Sequence, residues 1–413
     1  MTYEGSVNVD TIEDPMIRQA TEEQVFEQSE STLFIYCDHD QQIASFGQTP
    51  PQLFEMPHPS RAPLRKLDRH LAKSFTFKTA LSKVPLAFVS QPRPGELVVV
   101  DCNQILTTSL LDVRLGFGPR NAKDDATPRR LGEPMDQSVK IGGACFAALS
   151  PLRAVFMCGF WDNSFKLFGV DSGRLLKSVF GHGDVVSALC LSYDNLLLLS
   201  GSRDAIIYLW DVKVLPNQTV DLHKRTMLVG HEHPITCLAI DVGQDIVVSG
   251  SHALVLIHTL AGDLLHAINP QLQKPHLAAI SANGSFVTFF RDKAAPTLTL
   301  FHINGRALAS MSIAEHLTEL VVTRDGEFLI TAGFGQRVHV RRLWDLQLVF
   351  EYDLCGSSIR HLTLAHNETV VIAALTSGEL VTFAVDTDVW RAAVPIQSSP
   401  MQLDRQASLV ASP

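Results

Sequence analysis

Segments of one design recur along this chain at a spacing in the low forties, and that spacing limits the fold more than any other feature. The template is the stretch GSRDAIIYLWD, in which Ser200 precedes the glycine, Asp204 sits in a tight turn, and Trp210 ends an apolar strand ten positions after Ser200. The same separation joins Cys158 to Phe168, Thr331 to Arg341 and Ala373 to Phe383, and Ser249 fits with a strand about one residue shorter. The starts at 158, 200, 249, 331 and 373 lie 42, 49, 82 and 42 apart. The 82 is two units of 41, and the 49 is one unit plus a polar insertion near KVLPNQTVDLHKR. Between the starts run short apolar segments such as CFAALS, AVFMCG, FKLFGV and LLKSVF, cut by Asn, Asp and Gly. Helical repeats of this length need a 3.6-residue pattern, whereas runs of four to seven apolar residues between turns are strands. Four short strands per unit at this period predict an all-β fold, a β-propeller.

Six units are legible, at 140–180, 182–230, 231–270, 275–315, 316–355 and 358–390, although 275–315 rests on spacing and on ISANGSFVTFF and LTLFHING alone. LAFVSQ, GELVVVD and QILTTSLL supply a further blade, giving about seven. The propeller is expected over 82–390, closed by an early strand within 84–90 that pairs with the last blade and removes the open edges. Residues 63–81 are expected to be a linker and 391–413 a disordered tail.

The pair Trp161-Asp162 has the dipeptide that gives the WD repeat its name, but the register does not let it end a repeat. Asp162 aligns with Asp204 in the turn between the second and third strands, and Trp161 aligns with Arg203. Trp344-Asp345 also misses, falling three residues after the strand-ending Arg341. Only Trp210-Asp211 is terminal in this register.

Composition excludes several functions. A formal charge of −9 argues against a nucleic-acid binder, because phosphate contacts need clustered Lys and Arg. The one basic stretch, RAPLRKLDRHLAK at 61–73, reads as a solvated face or as a membrane or partner contact. Seven Cys at 37, 102, 145, 158, 190, 237 and 355 show neither zinc spacing nor a disulfide framework, so they read as reduced core thiols. The acidic N-terminus lacks the apolar core of a signal peptide, and no apolar run approaches the roughly 18 residues of a membrane span. The expectation is a cytoplasmic protein, with the sequons at Asn217, Asn283 and Asn367 unused.

Several strings carry a family resemblance: FGQTPPQLFEMPHPSR at 46–61, LGEPMDQSVK at 131–140, CGFWDNSF at 158–165, VFGHGDVVSALC at 179–190, LSGSRDA at 199–205 and HTLAGDLL at 258–265. Together they resemble the C-terminal part of neurobeachin and the related beige-like anchor proteins, BEACH-domain scaffolds that end in a WD-repeat propeller. The resemblance spans nearly the whole chain. It implies a cytosolic scaffold peripheral to intracellular membranes, acting in vesicle trafficking, with some relatives anchoring protein kinase A through its regulatory subunit. It also implies that 1–62, beginning near TYEGSVNVDTIEDP, is the C-terminal remnant of a BEACH domain, too short to bury that domain's core. Against the family pattern, VFEQSESTLFIYCDHDQ at 25–41 is interposed, either as a lineage insertion or as a retained intron.

No catalytic constellation stands out, and the chain is expected to be neither an enzyme nor the carrier of a cofactor or metal. His231-Glu232-His233 is the densest cluster, yet Gly230-His231, like Gly181-His182, matches the Gly-His that opens a WD blade. In the WD pattern His182, Ser200 or Ser202, Asp204 and Trp210 form a structural hydrogen-bond tetrad, useful only if every member is satisfied. No glycine-rich loop follows a strand and opens a helix. The favoured function is a noncatalytic platform whose partners dock on one face, with Trp161 and Arg203 as its candidate contacts. In the other reading of Trp161, the ring folds back over its own blade or under the BEACH remnant. The alternative function is substrate receptor of a cullin-type ubiquitin ligase, a class that often carries Arg two positions after the WD pair. Lys213 and Gln347 stand there instead.

Overall fold

The structure, a computed structural model, describes residues 75–78, 87–93, 96–100, 104–109, 129–130, 142–252, 254–269, 274–292, 295–353, 357–365 and 368–392. The expected BEACH remnant, the insertion at 25–41, most of the linker and nearly all of the tail lie outside these residues. Within them the strands form seven four-stranded sheets, every strand pair antiparallel.

Six sheets follow chain order from an innermost to an outermost strand, and the seventh closes the ring. Its three consecutive strands, Ile359–Ala365, Val370–Leu375 and Glu379–Ala384, accept Phe75–Lys78 as the fourth, with Phe75 opposite Thr382. The closing strand is therefore not within 84–90, which instead begins the innermost strand of the first blade, Phe88–Arg93. Four residues of F-T-F-K alternation are too short to stand out from a stretch that reads as linker. The unit inferred only from spacing is a full blade, Pro275–Ser281, Ser285–Phe290, Thr297–His302 and Ala307–Ser312. At the C-terminal side, the boundary drawn at 390 falls inside a helix, Thr387–Ala392, whose Trp390 is buried against Phe328 at 5.2 Å.

Burial explains the composition of each strand. The second strands, including Leu197–Ser202, Ile246–Ser251 and Phe328–Gly333, are buried at every residue because each blade is covered on both faces by its neighbours. They need unbroken apolar and small residues. The outermost strands, such as Leu264–Ile268 and Ala307–Ser312, meet a neighbour on one edge only and stay largely exposed.

A second device, not visible in the blade period, joins the blades. In the innermost strands of the third to seventh blades the ladder slips by one residue, leaving Ser187, Thr236, His276, Thr318 and Arg360 as the extra residue of a β-bulge. Three of these carry hydroxyls that reach the next blade: Ser187 Oγ donates to Ile235 O at 2.7 Å, Thr236 Oγ1 to Pro275 O at 2.7 Å, and Thr318 Oγ1 to Ile359 O at 2.8 Å. Each hydroxyl also lies near a carbonyl of its own blade, Gly201 O at 3.3 Å, Gly250 O at 3.1 Å and Ala332 O at 3.3 Å, but sits closer to the next blade. Neighbouring blades are thus joined by packing and by a repeated hydrogen bond.

Candidate functional site

Antiparallel strands put two sets of connections at opposite ends of the ring. One end gathers the turns between second and third strands and the loops that lead from one blade into the next. Trp161, Arg203 and the two Gly-His pairs all lie at this end.

In the third blade His182, Ser200, Asp204 and Trp210 come together in one proton order. Trp210 Nε1–H donates to Ser200 Oγ at 2.8 Å, and His182 Nε2 lies 2.8 Å from the same oxygen. Asp204 Oδ2 can only accept, so the one proton of the buried, neutral imidazole belongs on the nitrogen facing it, and the Ser200 hydroxyl donates to His182 Nε2. That nitrogen is Nδ1, 3.3 Å from Asp204 Oδ2. Burial keeps the imidazole neutral, holding its pKa below the ordinary value even though Asp204 pulls the other way. Asp204 does more than face the histidine. Its Oδ2 accepts Gly183 N–H at 2.7 Å and its Oδ1 accepts Ile206 N–H at 3.0 Å, so one carboxylate ties together the inter-blade loop and the inter-strand turn. Of the two serines the pattern allowed, Ser200 holds the histidine. Ser202 Oγ donates instead within its own blade, to Asp184 O at 2.9 Å or Val185 O at 3.0 Å.

The fourth blade carries a reduced version. His231 lies 2.9 Å from both Ser249 Oγ and Ser251 Oγ, with no carboxylate beside it, and burial pushes its pKa down to about 4. Ser249 pairs with Leu256, so His258 takes the place of Trp210 after a strand one residue shorter. His258 donates from Nε2 to Val229 O at 3.0 Å. Within the His-Glu-His run, His231 is therefore part of the blade's own hydrogen bonding, while Glu232 and His233 are exposed. Among the described residues no group of three or more His, Cys, Asp or Glu is placed to hold a metal ion.

The second blade departs from the template in a way that frees Trp161. Met157 pairs with Lys166, as Ser200 pairs with Tyr208, and Lys166 and Tyr208 each lie four residues after the turn aspartate. Met157, not Cys158, thus holds the serine position. The extra residue is absorbed at Gly159, whose φ of 91° only glycine adopts without strain. No tetrad forms there, because the thioether of Met157 offers no proton. Lys166 is buried instead and pairs with Asp162 at 2.9 Å. Burial raises the Asp162 pKa, but hydrogen bonds from Ser164 and Lys166 outweigh it and leave the carboxyl below its ordinary value.

The turn that follows is rigid. Asp162 Oδ1 accepts Ser164 N–H at 3.1 Å and its hydroxyl at 2.6 Å, Asn163 takes a φ of 58°, and Asn163 Nδ2 donates to Gly183 O at 3.1 Å. Trp161 at its apex remains 69% exposed and does not fold back over its blade. Phe180, on the loop leading into the third blade, is 63% exposed. Arg203, at the matching turn, is half-buried, and its backbone N–H donates to Val185 O at 3.0 Å. The structure therefore puts Trp161 and Arg203 at equivalent turns of adjacent blades, with an unpredicted aromatic, Phe180, on the loop that joins those blades.

Comparisons with known proteins agree with this geometry. Residues 117–393 match the neurobeachin beta propeller domain family. BEACH domain-containing protein B of Arabidopsis thaliana is 29% identical over 96% of the chain, and a putative neurobeachin homolog of Caenorhabditis elegans is 28% identical over 97%. The chain spans only 16% and 18% of those two proteins. Among solved structures, the computationally designed Ika8 protein superposes with a TM-score of 0.52 at 16% identity, covering 75% of this chain and 99% of its own, a likeness of fold alone.

Proposed function

The chain belongs to the neurobeachin beta propeller family, and from that premise we propose that its ring is a noncatalytic platform for proteins of vesicle trafficking. In this reading it acts in the cytoplasm, peripheral to intracellular membranes through its partners, and a kinase regulatory subunit is among the partners to be sought. One observation carries the reading. Trp161 is 69% exposed on a turn fixed by its own aspartate and by the neighbouring loop. A large aromatic held rigidly in water loses little conformational entropy on docking, and Trp and Arg are the residue types most enriched where binding energy concentrates.

The experiment is affinity capture with quantitative mass spectrometry, comparing wild type with Trp161→Ala. Trafficking coat, sorting or kinase components should be captured, and the variant should lose at least one of them, corresponding to a weakening of about 2 kcal/mol or more. Its melting temperature should stay at the wild-type value. Capture of cullin-ligase adaptors would support the alternative function, and an unchanged partner set would remove Trp161 from the interface.

A further inference from the structure

At the other end of the ring, the turns joining innermost to second strands surround a cavity of about 410 Å³. Five consecutive blades line it, from the third to the seventh. Its walls are aliphatic, among them Ile240, Ile280 and Val322, and among the described residues Asp194, Asp241 and Glu368 lie on its lining with a single cation, Arg324.

The mouth is organised before any ligand arrives. Arg324 reaches across from the sixth blade to the third: its guanidinium lies 4.8 Å from the Tyr193 ring centroid, and its Nη1 donates to the Tyr193 hydroxyl at 3.1 Å. Its backbone N–H is held by both carboxylate oxygens of Glu368 at 2.9 Å. Tyr193 nevertheless stays 82% exposed, more than Trp161. The cation is thus engaged with an aromatic ring, and three carboxylates outnumber it.

Aliphatic walls combined with an acidic excess fit one kind of side chain, a long apolar stem ending in a positive charge. We propose that this mouth docks a lysine or arginine side chain presented by a partner protein, the stem lying along the aliphatic wall and the charged head among Asp194, Asp241 and Glu368. This site lies on the end of the ring opposite Trp161 and does not depend on the role given to that residue.

The test uses the full chain and uncharged-end glycine-serine peptides carrying one central Lys, Arg, Glu or norleucine. Binding would be followed by fluorescence anisotropy, and contacts mapped by carbodiimide cross-linking and mass spectrometry. The Lys and Arg peptides should bind and lose affinity as salt is added, and the Lys peptide, whose amine can form an amide with an activated carboxyl, should cross-link to Glu368, Asp241 or Asp194. Tyr193→Ala and Glu368→Gln should weaken them tenfold or more, while Trp161→Ala should leave them unchanged. Glu368→Gln keeps an oxygen for the Arg324 N–H, and melting temperatures check that both variants fold. Should either variant unfold, the wild-type cross-link map decides alone. Binding of the Glu or norleucine peptide as tight as the Lys peptide, no cationic binding at millimolar concentration, or cross-links only elsewhere would overturn the proposal.

Discussion

Trp210→Ala should destabilise the propeller by about 3–5 kcal/mol, the range for removing a large aromatic from a packed interior. The ring is 4% exposed and lies 5.5 Å from Phe165 of the preceding blade and 5.9 Å from Tyr208 of its own, so the cavity opens between two blades. The same change removes the indole donor from Ser200. Asp204→Ala should cost less, about 1–3 kcal/mol, because it leaves His182 Nδ1–H and two backbone N–H groups to find water or remain unpaired. Denaturant unfolding of both variants measures this, and their order matters. If Asp204→Ala were as stable as wild type yet lost a partner, Asp204 would be a contact residue and not a blade fastener.

Acidification should weaken the fold well before its ordinary carboxylates protonate. Burial holds His231 at about 4 and His361 at about 3, below the ordinary 6.5. Above about pH 6.5 these groups are neutral in both states and the full stability is present. As pH falls below that, the unfolded chain takes up protons that the folded chain refuses, and stability is lost down to the folded values. His231 alone contributes a loss of about 3 kcal/mol by pH 4. His361 accepts Val89 N–H on Nδ1 at 3.3 Å, so its Nε2 carries the proton and lies 3.5 Å from Glu319 Oε2. Burial pushes Glu319 in the opposite sense, up to about 8. A folded pKa raised above the unfolded one gives stability that is complete below the unfolded value and is lost as pH rises through the folded value. From about pH 4.5 to 6.5 the histidines outnumber this one carboxyl, and from 6.5 to 8 it acts alone, so stability should peak near pH 6.5. Glu319→Gln should flatten the alkaline side and steepen the acid decline between about pH 6.5 and 4.5, where Glu319 had opposed the histidines. An alkaline decline that survives the substitution would mean that Glu319 is already ionised at neutral pH.

The parts of this structure legible in the sequence are those that repeat with a period. Strand runs, blade spacing and the Gly-His, Ser, Asp, Trp pattern of the third blade all recur or match a motif, and each is fixed by local hydrophobic alternation and turn chemistry. What no period reveals is fixed by neighbours distant in sequence. Phe75–Lys78 is a strand because the last blade offers it an edge. The hydroxyls of Ser187, Thr236 and Thr318 look like ordinary polar residues until the bulge turns them toward the next blade, although a Ser or Thr second in the innermost strand at this period is a signal that can be sought. A ten-residue count puts Cys158 one residue out of register, because it cannot see an insertion absorbed by Gly159. Tyr193 and Arg324 are 131 positions apart and share no motif, so only ring closure brings them together.

Hydrogen exchange of the propeller with and without a captured partner tests the central claim most directly. A platform that works through Trp161 and its neighbours should show new protection at 158–164, at 180–185 and at 203–206, with the outermost strands unchanged. Protection confined to outermost strands such as Leu264–Ile268 and Ala307–Ser312, with none at those turns and loops, would contradict it.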